Sequence, residues 1–177
     1  FLNSYFKKIK IDDLYNSAAY KHVNFGEENP DSMIKNNIFA TKKIIEFIIL
    51  KKIKNFIFIS SDKAVNPKSI LGYTKKFGEI LSRHYFILNN LQKKNYSFTI
   101  VRFGNVIGSS GSVIPIFLNQ IKNKLPLTVT NVKAHRYFMS ISEAVQLVIN
   151  ASYLNKIGIK IFALNMGKQI NIYQIAK

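Results

Sequence analysis

Cysteine and tryptophan are absent from this 177-residue chain, and only three of its 26 basic residues are arginine (Arg83, Arg102 and Arg136). Without cysteine there are no disulfides and no thiolate metal sites, which fits a reducing compartment. Acidic residues are scarce as well, nine against 26 basic ones, for a net charge of +17. No apolar run reaches the length of a membrane-spanning helix. The opening FLNSYFKKIKIDDLYNSAAY lacks the layout and cleavage site of a secretory signal. It does not begin with Met, so further residues are expected to precede Phe1. Also missing is a GxGxxG, the Gly-rich turn that opens a dinucleotide-binding sheet. Either the fold is a different one, or about two or three opening strands lie outside the chain.

A basic chain suits nucleic acid or an anionic membrane. Here the lysines are scattered, as in Lys7, Lys8, Lys42, Lys43, Lys51, Lys52, Lys93 and Lys94, and Ile, Lys and Asn are heavy throughout. A solvated lysine-rich surface accounts for the charge, and nucleic acid is not expected as a partner. Attraction of a nucleotide diphosphate or a membrane surface remains a secondary effect. The length suffices for one domain with a real core.

What is present centres on Phe56 to Lys75, FIFISSDKAVNPKSILGYTK. Phe56, Ile57, Phe58 and Ile59 suit a strand buried on both faces. Ser60, Ser61, Asp62 and Lys63 follow at its carboxyl end, where open α/β sheets bind ligands. A hydroxyl, a carboxylate and an amine in succession make a candidate acid/base cluster. They read equally well as a polar loop with a solvated Asp–Lys pair.

Around this stretch, strands and helices alternate. Strands are expected at Ile11–Tyr15, Ser97–Val101, Leu127–Val129 and Ile161–Leu164. Residues 1–10 read as the end of a helix. A long helix is expected over about Pro30 to Leu50, with Met33, Ile34, Asn37, Ile38, Thr41, Ile45 and Ile48 on one face. Ser69 is expected to cap a helix running to about Asn89 that buries Phe77, Ile80, Leu81 and Tyr85. Further helices are expected over Val113–Lys122 and, capped by Ser142, up to Tyr153. His135-Arg136-Tyr137 reads as a loop. The small residues Asn16-Ser17-Ala18-Ala19 either let a ligand approach the backbone or pack under a helix. The alternation argues an α/β fold with a parallel sheet and helices on both faces.

At ISSDKAVNP, with AAYKHV before it and RFGNVIGSSGSVIP after it, the chain resembles the nucleotide-sugar 4,6-dehydratases of bacterial polysaccharide biosynthesis. The resemblance runs through SAAYKHV, EENP, IKNN, SSDKAVNP, LGYTK, RFGNV, GSSGSVIP, RYFMSISEAVQLV and NMGK, in that order. Each piece is weak alone, but their joint order is specific. The resemblance implies an extended short-chain dehydrogenase/reductase with a Rossmann-like doubly wound sheet. It implies a partial NAD-binding domain over 1–104 and a mainly substrate-binding part over 105–177. It implies NAD as cofactor and UDP-N-acetylglucosamine as substrate. The expected reaction oxidises C4, eliminates water across C5–C6 and returns the hydride to C6.

By the resemblance, Asp62 is the acid for the C6 hydroxyl and Lys63 the base for C5–H. The physical route to those forms is a carboxyl held protonated by burial and a lysine held neutral by burial or a nearby cation. Ser61 orients the C4 oxygen, and Lys75 binds the nicotinamide ribose. Without the resemblance Lys75 reads as an exposed helix lysine like Lys76. Cofactor contacts carried over are Ala18, Ala19, Tyr20, Ser60, Lys75 and Phe103. Substrate contacts are Lys21, Asn105, Ser112 and Arg136. Arg136 suits a diphosphate because a guanidinium makes paired charge-assisted bonds, and otherwise reads as a surface ion pair. His22 and His135 have no companions at metal-ligand spacing, so no metal is expected.

One position departs from the wider superfamily. The Tyr of YxxxK is replaced by Leu71, as in the membrane-bound branch, where an apolar residue stands there. The C4 base is therefore open, with Asp62 a candidate. Tyr73, two residues from Lys75, would face elsewhere on a helix. That branch implies a homo-oligomer on the cytoplasmic side of a membrane, attached through a region upstream of this chain. Rival readings are a 4-epimerase, a C5-inverting dehydratase and a non-catalytic NAD(H)-sensing or nucleotide-sugar-binding protein.

Overall fold

The computed structural model describes residues 6, 9–109, 111–129 and 131–177. The elements are β1 (Asp13–Asn16), α1 (Val23–Glu28), α2 (Pro30–Ile34), a π-helical turn (Lys35–Phe39) and α3 (Ala40–Lys51). Then come β2 (Asn55–Ile59), a 3-10 turn (Asp62–Ala64), α4 (Ile70–Leu88), a second 3-10 turn (Leu91–Lys94) and β3 (Ser97–Arg102). The rest are β4 (Asn105–Val106), α5 (Val113–Lys122), β5 (His135–Arg136), β6 (Phe138–Met139), α6 (Ile141–Leu154), β7 (Gly158–Ala163), β8 (Ile170–Asn171) and α7 (Ile172–Ala176). The helix end expected over 1–10 falls mostly outside the described residues.

Two compact units result, Phe1–Arg102 with Ile149–Ala163, and Phe103–Val148 with Leu164–Lys177. A division into 1–104 and 105–177 misses the return to the first unit. The return occurs because β7 completes the sheet by pairing with β3.

The first unit holds a parallel sheet in the order β1-β2-β3-β7. Parallel strands need helical crossovers: α1 to α3 lie between β1 and β2, α4 between β2 and β3, and α6 leads into β7. The fold is α/β and Rossmann-like. Because all four strands point the same way, Asn16, Ile59, Arg102 and Ala163 end at one edge. Phe56, Ile57 and Phe58 are all buried, so β2 is covered on both faces. The core gathers Phe56, Phe58, Phe86 and Phe98 with Ile45, Ile48, Ile53 and Ile100. The Phe98 ring meets Phe56 and Phe86 edge-on, at 5.1 and 5.3 Å between centroids. Burying each such side chain is worth about 1.5–3 kcal/mol.

The helical run from Pro30 to Lys51 buries Met33, Asn37, Thr41, Ile45 and Ile48, the face its spacing predicts. Ser69 caps α4 by accepting from the Gly72 amide at 3.2 Å, as expected. Of the face predicted for α4, Leu81 and Tyr85 are partly buried and pack against the core, but Phe77 and Ile80 do not turn inward. Phe77 and Ile80 are about half exposed, and the buried stripe is Leu71, Thr74, Lys75, Gly78, Glu79, Ser82 and Phe86. Gly78 decides this. A β-carbon there would lie 2.5 Å from the Phe58 ring, so the bare backbone faces the sheet and Phe77 and Ile80 turn out.

In the second unit β4 pairs with β6 in parallel, and β5 pairs with β8 antiparallel. His135 and Arg136 thus lie in a short strand rather than a loop. Leu127–Val129 forms no strand. The Thr128 amide and hydroxyl both bond the Gln120 side chain, which takes the place of a strand neighbour. The cap of α6 is Ser140, not Ser142. Its hydroxyl accepts from the Glu143 amide at 3.1 Å and its carbonyl from the Ala144 amide at 3.0 Å.

Candidate active site

The loop after β2 is built by short-range hydrogen bonds. Ser60 still joins the sheet, its amide donating to the Val101 carbonyl at 2.8 Å. Ser61 is extended and caps the 3-10 turn, its hydroxyl oxygen accepting from the Lys63 amide at 3.2 Å. The same hydroxyl donates to Asp62 Oδ1 at 2.9 Å, and Lys63 Nζ donates to that oxygen at 3.1 Å. Ser61, Asp62 and Lys63 therefore form one connected array. The fully buried Ala64 pins the end of the turn. The Asp62 and Lys63 side chains are 39% and 31% exposed.

Lys75 is buried on α4 and donates from Nζ to the carbonyl of Ile59, the last residue of β2, at 2.8 Å. Burial pushes its ammonium down to about 8. The neighbouring Lys76 side chain is 39% exposed. The two lysines, indistinguishable by composition, are thus separated by helix phase. Leu71 is buried one turn before Lys75, whereas Tyr73 is 58% exposed.

The loop after β1 is held from the π-helical turn. Asn37 is buried there; its Oδ1 accepts from the Tyr20 amide at 2.8 Å and its Nδ2 donates to the Tyr20 carbonyl at 3.0 Å. Nδ2 also donates to Thr74 Oγ1 at 3.1 Å. Single π turns inside helices recur at functional sites. Ala18 and Lys21 are exposed, Ala19 is half-buried, and the Tyr20 ring packs on Phe25. The Ser60 hydroxyl donates to the buried Glu79 at 2.6 Å.

Glu79 and Asn37 are the residues that sequence reasoning missed as parts of the site. A signal existed for Glu79, which is in phase with Leu71 and Lys75 on α4. An acid on a buried face demands a cation, and Arg102 is one of only three arginines.

Phe103, Asn105, Ser112 and Arg136 belong to the second unit, and the other predicted site residues to the first. The Asn105 amide donates to the Tyr137 carbonyl at 3.1 Å. Ser112 precedes α5, and its Oγ is buried with no hydrogen-bond partner among the described residues. Arg136 is exposed and donates from Nη1 to the His135 carbonyl at 2.8 Å.

Comparison with known proteins agrees with the motif-based resemblance. Residues 1–177 match the family model described as polysaccharide biosynthesis protein, and the chain belongs to that family. It is 46% identical over 171 residues to the probable polysaccharide biosynthesis protein EpsC of Bacillus subtilis, covering 97% of this chain and 28% of that protein. It is 36% identical to a UDP-glucose 4-epimerase of Rickettsia bellii, over 80% of this chain and 41% of the relative. It is 34% identical to an inverting UDP-N-acetylglucosamine 4,6-dehydratase of Campylobacter jejuni, over 79% of this chain and 42% of the relative. The crystal structure of Pen from Bacillus thuringiensis superposes with a TM-score of 0.87 at 38% identity, over 94% of this chain and 50% of Pen. The chain thus spans less than half the length of these curated relatives.

Proposed function

We propose that this chain is the catalytic part of an NAD-dependent nucleotide-sugar 4,6-dehydratase acting on a UDP-N-acetylhexosamine for polysaccharide synthesis. The observation that carries the proposal is the Ser61–Asp62–Lys63 array at the carboxyl end of β2, beside the buried amine of Lys75. The residues present fit the nicotinamide end of NAD. Lys75 has three donors and places one on Ile59, leaving the others for ribose hydroxyls. The small Ala18 and Ala19 follow β1, beside a Tyr20 backbone fixed by Asn37. When bound, NAD supplies the acceptor of the C4 hydride and its donor back to C6.

The chain's own groups supply the proton transfers. Leu71 has no titratable proton and Tyr73 points to solvent, so Asp62 serves as the C4 base. Its carboxylate takes the C4 hydroxyl proton as the ketone forms. The ketone acidifies C5, and Lys63, entering as the free amine, removes that proton. Asp62 returns its proton to the C6 hydroxyl, which leaves as water. Lys63 then reprotonates C5 as the hydride reaches C6, and both groups regain their starting forms. Arg136, with its guanidinium exposed, is assigned to the diphosphate.

The second reading is 4-epimerisation, favoured by the identity to the Rickettsia epimerase. Epimerisation needs no acid/base pair for elimination, which is why the Asp62–Lys63 pair supports dehydration. The test is to incubate the full-length protein with UDP-N-acetylglucosamine in deuterated water and follow the sugar by NMR. A 4-keto-6-deoxy product with deuterium at C5 is expected. A C4 epimer, or bound UDP-sugar without turnover, overturns the reading.

A further inference from the structure

Glu79 lies one turn after Lys75 on α4 and is 4% exposed. A buried carboxylate is costly unless partnered. Its Oε1 accepts from Ser60 Oγ at 2.6 Å and from Arg102 Nε at 2.8 Å, and its Oε2 accepts from Arg102 Nη2 at 2.5 Å. Lys76 Nζ stands 3.9 Å from Oε2. The places of these partners matter. Ser60 follows β2 and directly precedes Ser61, Asp62 and Lys63. Arg102 ends β3 and directly precedes Phe103, Gly104 and Asn105. One carboxylate therefore ties the carboxyl ends of two neighbouring strands to the helix that carries Lys75.

We propose that Glu79 is a positioning residue, holding the Ser61–Asp62–Lys63 loop in register with Lys75. The proposal rests on the dehydratase reading for its catalytic consequence. The competing account is a purely structural ion pair. A buried pair of that kind is commonly replaceable by apolar residues of similar volume without loss of stability. The two accounts separate in the double variant Glu79→Leu/Arg102→Met, which removes both charges together.

The experiment compares wild-type full-length protein, Glu79→Gln and the double variant. The readouts are melting temperature, kcat and KM for UDP-N-acetylglucosamine, and hydrogen exchange at amides 60–63. The double variant is expected to melt within about 5 °C of wild type. Its kcat is expected to fall about 100-fold, with KM changed less than about threefold, because small misplacements cost that much. Exchange at 60–63 is expected to rise about tenfold relative to Phe56–Phe58. Glu79→Gln, which keeps volume and an acceptor for Ser60, should fall between the two. Wild-type kcat in the double variant overturns the proposal, and so does a lowered kcat without faster exchange at 60–63. If wild type itself fails to turn over the UDP-sugar, the dehydratase reading falls. Exchange at 60–63 then decides the positioning role alone, faster supporting it and unchanged overturning it. If the double variant does not fold, Glu79→Gln carries the same readouts.

Discussion

Gly72 lies against the carbonyl of Lys63 so closely that a β-carbon on it would stand 2.8 Å from that oxygen. The same β-carbon would meet Pro67 Cβ at 3.2 Å. The first turn of α4 and the candidate loop are thus packed backbone to backbone. Gly→Ala inside a helix ordinarily stabilises by about 0.5–1 kcal/mol. Here the obstacles are a main-chain oxygen and a proline ring, so overpacking of about 1–3 kcal/mol prevails. Gly72→Ala should destabilise the full-length protein by about 1 kcal/mol or more and displace Lys63. Its kcat should fall about 100-fold. Urea unfolding and steady-state kinetics check both, and an unchanged kcat contradicts the reading of this contact.

For Asp62 and Lys63 the effects on stability and on activity should part. Both side chains are about a third exposed, so their ion pair contributes about 1 kcal/mol at most. Asp62→Asn and Lys63→Ala should therefore leave denaturant midpoints almost unchanged. Turnover should drop by about 10²–10⁴ in each, the usual worth of a positioned acid or base. Near-normal product formation in either variant removes that residue from its role.

Lys75 carries a stability cost that depends on pH. Its folded-state value is about 8, against 10.5 for the ordinary side chain. Between those values the unfolded chain binds more protons than the folded one, so this group makes stability rise with pH across that window. Below about 8 the cost is complete, about 3 kcal/mol by linkage. Lys75→Met removes it and also loses the bond to Ile59, worth about 1 kcal/mol. The variant should be about 2 kcal/mol more stable at pH 7 and should bind NAD poorly. Its advantage should shrink as pH rises from 8 toward 10.5. Denaturant midpoints of both proteins across that range test the sign, and parallel curves contradict it.

How much of this was legible depends on which force placed each residue. The stripe Met33, Asn37, Thr41, Ile45 and Ile48 was readable because its period matches the helix. Ser69 was readable because an N-cap needs only local chemistry. The buried face of α4 was readable only in part, at Leu81 and Tyr85. Periodicity assigns Phe77 and Ile80 inward, but the Phe58 ring takes the space beside Gly78 and the helix turns its small and paired polar residues to the sheet. Lys75 became distinct from Lys76 only through the family resemblance, because burial of an amine leaves no mark on composition. Glu79 and Arg102 are 23 residues apart, and pairing at that separation is a property of the packed sheet.

Asn37 shows what such long-range bonds do for the site. One side chain satisfies both backbone groups of Tyr20 and the hydroxyl of Thr74. Asn37→Ala leaves these groups without that partner, and buried unsatisfied groups cost about 1–3 kcal/mol each. Asn37→Asp keeps the acceptor for the Tyr20 amide but sets a second oxygen against the Tyr20 carbonyl, so it should rescue little. The loosened segment is Ala18–Tyr20, assigned to the cofactor, whereas the Ser61–Lys63 array keeps its own bonds. Full-length Asn37→Ala should therefore retain less NAD through purification, with kcat per bound NAD near the wild-type value. Cofactor content measured by absorbance after acid release, divided into the turnover number, checks this. A fall in kcat per bound NAD with full cofactor content would instead mean that Asn37 acts on the reacting groups through Thr74 and α4.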